Sequence, residues 1–225
     1  MKHTTLATAV IAALLLPSAT AFAYDAGDII VRAGFTTVAP NDDTSNILAG
    51  GTDLGVDLSI GNNTQLGLNV AYFVTDNINI ELLAATPFTH DVDFGVSDPL
   101  GTGNKLGEVT HLPPTLSVNY YFSDKASAFQ PYAGVGLNYT FIFDEEFTAA
   151  NTAAGLTDLK LDNTLGLSAQ VGFDYVIDSQ WHLNASVRYI DINTEASFKV
   201  GDAQGAVEDI SIDPTVYTIS VGYTF

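Results

Sequence analysis

From residue 28 to the C-terminus, apolar and polar positions alternate with a period of two in short runs, and helical periodicity is almost absent. Eight runs are centred on Ile29–Val38, Gln65–Phe73, Ile78–Thr89, Leu112–Phe122, Phe129–Phe143, Leu165–Ile177, Trp181–Ile192 and Ile210–Phe225. Clusters of Gly, Asn, Asp and Pro separate them, as expected between strands. The connections at Thr75-Asp76-Asn77, Ser123–Ala128 and Asp178-Ser179-Gln180 are tight, whereas Pro40–Thr64, Asp91–Glu108, Asp144–Asp162 and Asn193–Asp209 are long. This alternation predicts an all-β, eight-stranded antiparallel up-and-down β-barrel with every tight turn at one end and every long loop at the other.

Alternation gives each strand two faces without saying which looks outward, so a soluble lipocalin-like barrel and a transmembrane barrel both fit at first. Side-chain size separates them. In the sixth run Leu165, Leu167, Val171 and Phe173 share one face, and Gly166, Ser168, Gln170, Gly172 and Asp174 share the other. The seventh and eighth runs set Trp181, Leu183, Val187, Ile219 and Val221 against His182, Asn184, Arg188, Ser220 and Gly222. The lumen of an eight-stranded barrel is only just wide enough for side chains, so the large apolar faces would overfill it. They therefore face lipid, the dyad pattern of outer-membrane barrels. Tyr72, Phe73, Tyr120, Tyr121, Phe122, Phe129, Tyr175, Trp181, Tyr223 and Phe225 lie near short turns or the C-terminus and are expected to form one interfacial belt. Phe35, Tyr139, Phe141, Tyr189 and Tyr217 lie higher, at a separation of roughly 20–25 Å for strands tilted near 40°.

The pattern then changes phase. After Tyr189 the apolar positions move to Ile190 and Ile192, below Tyr217 they are Ile210, Ile212 and Pro214, and Ile142 follows Phe141 more weakly. Neighbouring strands switching at one height suggest that the wall continues beyond the lipid and becomes apolar inside, making a vestibule at the loop end. A β-bulge in each strand, or a small hydrophobic plug, would produce the same pattern. Below it, the lumen-facing Arg32, Asn79, Glu81, Gln170, Asp174, His182 and Arg188 read as an ionic and hydrogen-bonded plug, because buried charges require compensation. Glu81 and Asp174 as a catalytic carboxylate pair is the poorer reading beside two arginines. Pro87 and Pro113-Pro114 fall at similar height on neighbouring strands. Proline donates no ladder hydrogen bond, so they predict either a lateral gap in the wall or an earlier start of the loops.

Composition removes other classes. The 225 residues carry 7 Lys+Arg against 26 Asp+Glu, a formal charge of −19, which is incompatible with nucleic acid as a partner. With no Cys and no helical pairing of the four His, thiol chemistry and zinc sites have no basis, and no metal or other cofactor is expected. Lys2, the apolar run Leu6–Leu16 and Ala21-Phe22-Ala23 predict a signal peptide over residues 1–23, with the barrel domain spanning 24–225.

Several longer segments resemble a known family. Glu81-Leu82-Leu83-Ala84-Ala85-Thr86-Pro87-Phe88, His111-Leu112-Pro113-Pro114-Thr115-Leu116, Pro131-Tyr132-Ala133-Gly134-Val135-Gly136 and the terminal Gly222-Tyr223-Thr224-Phe225 are similar to the OmpW family of outer-membrane proteins. The resemblance implies an eight-stranded barrel in the outer membrane of a Gram-negative bacterium, in contact with its lipid and lipopolysaccharide. It also implies a hydrophobic channel closed toward the periplasm and lateral passage of small hydrophobic compounds, a family that includes alkane-uptake proteins. Phe225 resembles the signal read by the outer-membrane assembly machinery. The family's constriction falls on Leu83, with Leu165 where an aromatic partner is expected.

Three functions follow as expectations. The first is uptake of small hydrophobic molecules through the vestibule. The second is a structural or adhesion barrel presenting its acidic loops, among them Asp42, Asp43, Asp57 and Asp144-Glu145-Glu146. Those loops are read mainly as solvated surface, and divalent cations are a lesser reading without a calcium loop. A lipid-modifying enzyme has only Ser97, His90 and His111 to draw on, with no triad spacing, so the chain is not expected to be an enzyme.

Overall fold

The computed structural model describes residues 24–41, 48–49, 52–53, 58–95, 98 and 100–225. The expected signal peptide and Asp42, Asp43, Asp57 and Ser97 lie outside these residues. In chain order the strands are β1 (Ile29–Ala39), β2 (Leu48–Ala49), β3 (Thr52–Asp53), β4 (Leu58–Ile60), β5 (Asn63–Phe73), β6 (Ile78–Ala85), β7 (Phe88–Phe94) and β8 (Lys105–Leu112). They continue as β9 (Thr115–Tyr121), β10 (Phe129–Phe147), β11 (Leu156–Leu161), β12 (Thr164–Val176), β13 (Trp181–Ile190), β14 (Asn193–Val200), β15 (Ala203–Ser211) and β16 (Thr215–Thr224), with a one-turn helix α1 (Ala149–Ala153) between β10 and β11.

Eight of these strands close a barrel. The order β1-β5-β6-β9-β10-β12-β13-β16 returns to β1, every neighbour antiparallel. Period-two alternation sets its faces: Leu66, Leu68, Val70 and Tyr72 of β5 are exposed, while Asn69, Ala71 and Phe73 are buried. The exposed side chains form a continuous apolar band bounded above by Phe35, Tyr139, Phe141, Tyr189 and Tyr217. Phe73 and Tyr121 correct the expected belt, for both are interior, at 0% and 1% exposure. Their height matches the belt, but their parity along β5 and β9 turns them into the lumen.

The four long connections are not plain loops. They build a second tier of wall in two separate sheets. On one side β8, β7 and β4 extend the sheet upward from the outer half of β10. On the other, β11, β14, β15, β2 and β3 form their own five-stranded sheet. The seventh and eighth runs enter this tier without slipping: Tyr189↔Thr215 and Asn193↔Ser211 keep one register across Ile190–Ile192, so no bulge intervenes there. What changes is the chemistry of the inward face, from His182, Asn184 and Arg188 below to Ile190 and Ile192 above.

Candidate functional site

The interior is stacked in layers that can be followed along β1, where Ile30, Arg32, Thr36 and Val38 point inward in ascending order. The lowest layer is aromatic. Gly27, at φ 103°, turns the chain back across the barrel mouth so that Tyr24 enters the lumen and stacks on Phe73, with ring centroids 4.4 Å apart. Tyr121 and Tyr132 complete this floor. Outside it, Lys125 pairs with Asp25 and Asp76 and ties the segment down.

Above the floor lies the ionic layer. The Arg32 guanidinium donates to Asp174 (2.7 Å), Glu81 (3.3 Å), Tyr121 (2.9 Å) and Asn69 (3.3 Å), and its Nε donates to His182 Nε2 (3.2 Å). Arg188 donates to Glu81 (2.8 Å) and Gln170 (2.7 Å). Tyr24, Tyr121 and Asn184 all donate to Asp174. Two guanidinium groups thus face two carboxylates, each carboxylate with several donors, the condition under which buried charge is tolerated. Glu81 and Asp174 are held in salt bridges with the same arginine. The packing leaves no slack: a Cβ on Gly222 would collide with the His182 ring.

Higher again the lining turns apolar. Val38, Phe88, Ile190, Ile192 and Val216 pack as a buried cluster, with Ile212 against it. Beyond that opens a cavity of about 250 Å³, lined by Ile60, Val92, Ile142, Leu161, Ile192 and Ile212 among others. Its outer end is formed by a second packed cluster of Phe94, Leu156, Ala196, Phe198 and Val207, with Ile210 alongside. The five isoleucines named from sequence are therefore brought together around one space, Ile190 in its base and Ile142, Ile192, Ile210 and Ile212 on its lining. Leu83 is buried, between the ionic layer and the apolar one. Leu165 is not part of this interior. It is 66% exposed on the lipid side of β12, where odd-numbered residues point outward, which overturns its assignment to a constriction.

The prolines mark a lapse in the wall. Strands β6 and β9 pair up to Leu83↔Thr115, and β7 and β8 resume at Phe88↔His111 one residue out of step, with Ala84–Pro87 facing Leu112–Pro114 between them. The carbonyls of Pro113 and Pro114 accept from Asn138 Nδ2 at 3.1 and 3.2 Å, and that of Pro114 also from the Tyr139 amide at 3.0 Å, so this strand stays tied to β10. Just above the lapse, and above the lipid-facing band, His90 and His111 stack at 5.0 Å in the cavity wall. Burial, with His90 discouraging a second charge beside it, holds His111 down at about 3, and burial also lowers His90. Tyr24, Tyr132 and Asn138 escaped the sequence reading. A single residue ahead of a strand carries no periodicity, and an interior aromatic on a short run looks like an interfacial one.

Comparison with known proteins agrees with this architecture. The OmpW family model matches residues 25–225. Outer membrane protein W of Vibrio cholerae serotype O1 is 49% identical over 225 residues, covering 100% of both chains. The crystal structure of the outer membrane protein OprG from Pseudomonas aeruginosa superposes with a TM-score of 0.84 at 40% identity, over 90% of this chain and 98% of that one. The solid-state NMR structure of outer membrane protein AlkL in DMPC lipid bilayers gives 0.68 at 27% identity, over 93% and 95%. An eight-stranded barrel with a lipid-facing apolar band, a filled lumen and full-length kinship to these proteins belongs to the OmpW family and resides in the outer membrane of a Gram-negative bacterium.

Proposed function

We propose that this barrel takes up small hydrophobic molecules, holding them in the loop-end cavity and releasing them sideways into the membrane. The observation that carries the reading is the position of the cavity: apolar on all sides, standing on a lumen filled by paired charges, and beside the lapse between Ala84–Pro87 and Leu112–Pro114. An apolar molecule seated there cannot continue down the axis without entering the ionic layer, whose groups would lose partners they cannot recover from it. The side wall, where no ladder pairs have to be broken, is the easier exit. Family membership alongside AlkL supports the same reading. Leu83, buried beneath the cavity, would act as its lower limit. Lipopolysaccharide around the second tier and recognition of Phe225 by the assembly machinery belong to the same proposal.

The test is uptake of N-phenylnaphthylamine, which fluoresces on entering lipid, into vesicles with a lipopolysaccharide outer leaflet. Ile192→Asp places a charge in the cavity lining and is expected to abolish the protein-dependent rate while the barrel still shows its heat-dependent gel shift. A folded Ile192→Asp variant that takes up the probe as fast as the parent would sink the proposal.

A further inference from the structure

We infer that the cavity has a second opening, an entry window between β10 and β11, through which uncharged apolar molecules arrive from the outer surface. This inference rests on the uptake reading above.

The window is a fork in one hairpin. Its sill is the last rung between β10 and β12, Thr140↔Thr164. Above it β10 leaves with one sheet, pairing to β8 from Phe141↔Leu112 to Phe147↔Gly107. Strand β11 leaves with the other, pairing to β14 from Leu161↔Ala196 to Leu156↔Val200. Between these two jambs no backbone ladder runs, and two side chains span the distance instead: Asn163 Oδ1 accepts from the Ile142 amide (2.8 Å) and Glu145 Oε1 from the Leu161 amide (3.3 Å). The lintel is α1, where the buried Asn151 donates to the carbonyls of Lys105 and Leu106 at 3.0 and 2.9 Å and pins the turn to β8.

Both jambs are bent by matching devices. Strand β10 carries a register shift between Phe143 and Glu146, and β11 one between Thr157 and Lys160. Each shift contains an aspartate in the left-handed region, Asp144 at φ 52° and Asp158 at φ 56°. Non-glycine residues adopt such angles at a cost and bulges curve the strand that bears them, so the parting of β10 from β11 is built into both strands. Directly behind the window lie Ile142, Phe147, Leu156 and Leu161, all lining the cavity. On either side of its sill, on the outside, Tyr139 and Phe141 meet edge to face, ring centroids 4.6 Å apart, in the upper aromatic girdle. The axial route from above meets Phe94, Ala196, Phe198 and Val207 of the packed outer cluster, of which the window touches only Leu156, with Phe147 and Leu161 packed against it.

The absence of cysteine makes the window addressable, because an introduced thiol is the sole target of a thiol reagent. Glu145→Cys, labelled with a bulky maleimide, is expected to lose most of its N-phenylnaphthylamine uptake relative to the same protein unlabelled. Asp91→Cys on β7, two strands away from the window in the sheet of β8 and β10, labelled identically, keeps its uptake. A second variant closes the sill directly: Phe141→Cys with Asn163→Cys is expected to be slow when oxidised and to recover on reduction. Uptake that is indifferent both to the label and to oxidation overturns the window while leaving the uptake reading intact. If the parent protein itself shows no uptake, both fall.

Discussion

Arg32 reaches five partners with one guanidinium, and Glu81 and Asp174 would each lose a buried salt bridge if that side chain lost its charge. Breaking a buried pair by removing one member costs about 3–5 kcal/mol, so Arg32→Met is expected to lower the urea midpoint of the lipid-reconstituted barrel by that equivalent. Tyr24→Phe removes one donor from a carboxylate that retains Arg32, Tyr121 and Asn184, and a loss of about 1–3 kcal/mol is expected in the same measurement. At this scale the sequence was legible where parity speaks. Arg32, Glu81, Asp174 and Arg188 occupy the inward positions that period-two counting assigns them. Parity also put Leu165 among the outward residues, and the structure upholds it against the family-based assignment to a constriction. For Phe73 and Tyr121, nearness to a turn points to the belt and parity points inward, and parity is the signal that the fold obeys.

The hairpin β7–β8 turns the two buried imidazoles into a prediction about pH. The folded wall keeps His90 and His111 below their ordinary 6.5, so unfolding would take up protons. The resulting stability is complete above about pH 6.5 and is lost as the pH falls toward the folded values, His111 reaching its own at about 3. The neighbouring Asp91 and Glu108 are exposed and bonded to Lys105, and the pull of Asp91 toward a charged His90 is smaller than the burial that opposes it. Acidification from pH 7 to 4 should therefore lower the amide protection factors, taken against the intrinsic exchange rate at each pH, in Thr89–Asp91 and Val109–His111, and His111→Phe should flatten that dependence. Identical protection factors at both pH values would refute the assignment. Elements of this second tier were the least readable in the sequence. Their strands are short and pair only with distant segments, and α1, at one turn, is too short to display a helical period. The proline breaks were readable, since a missing amide is a local property of the residue, and the ladder does lapse where they fall.

Across the whole molecule, two environments are divided by height. For the span of one bilayer the outside is greasy and the inside polar; above it the outside is wet and the inside greasy. A cation in the middle of the lower band should cost about 2–4 kcal/mol, so Val171→Arg is expected to destabilise the reconstituted barrel by that amount. The same change at Asp91, on the upper outer surface, should have little effect. The eight-stranded plan was readable because lipid imposes its rule on every strand, whereas the upper tier obeys only its own local packing. The inserted tyrosine at the short-turn mouth has a practical consequence. Because Tyr24 is the stopper of the tube, a tag fused immediately ahead of it must find its way out past Phe73 and the Lys125 clasp. Purification handles and fluorophores therefore belong at the turns, and a protein carrying one at its front end should be expected to misreport the tightness of its own seal.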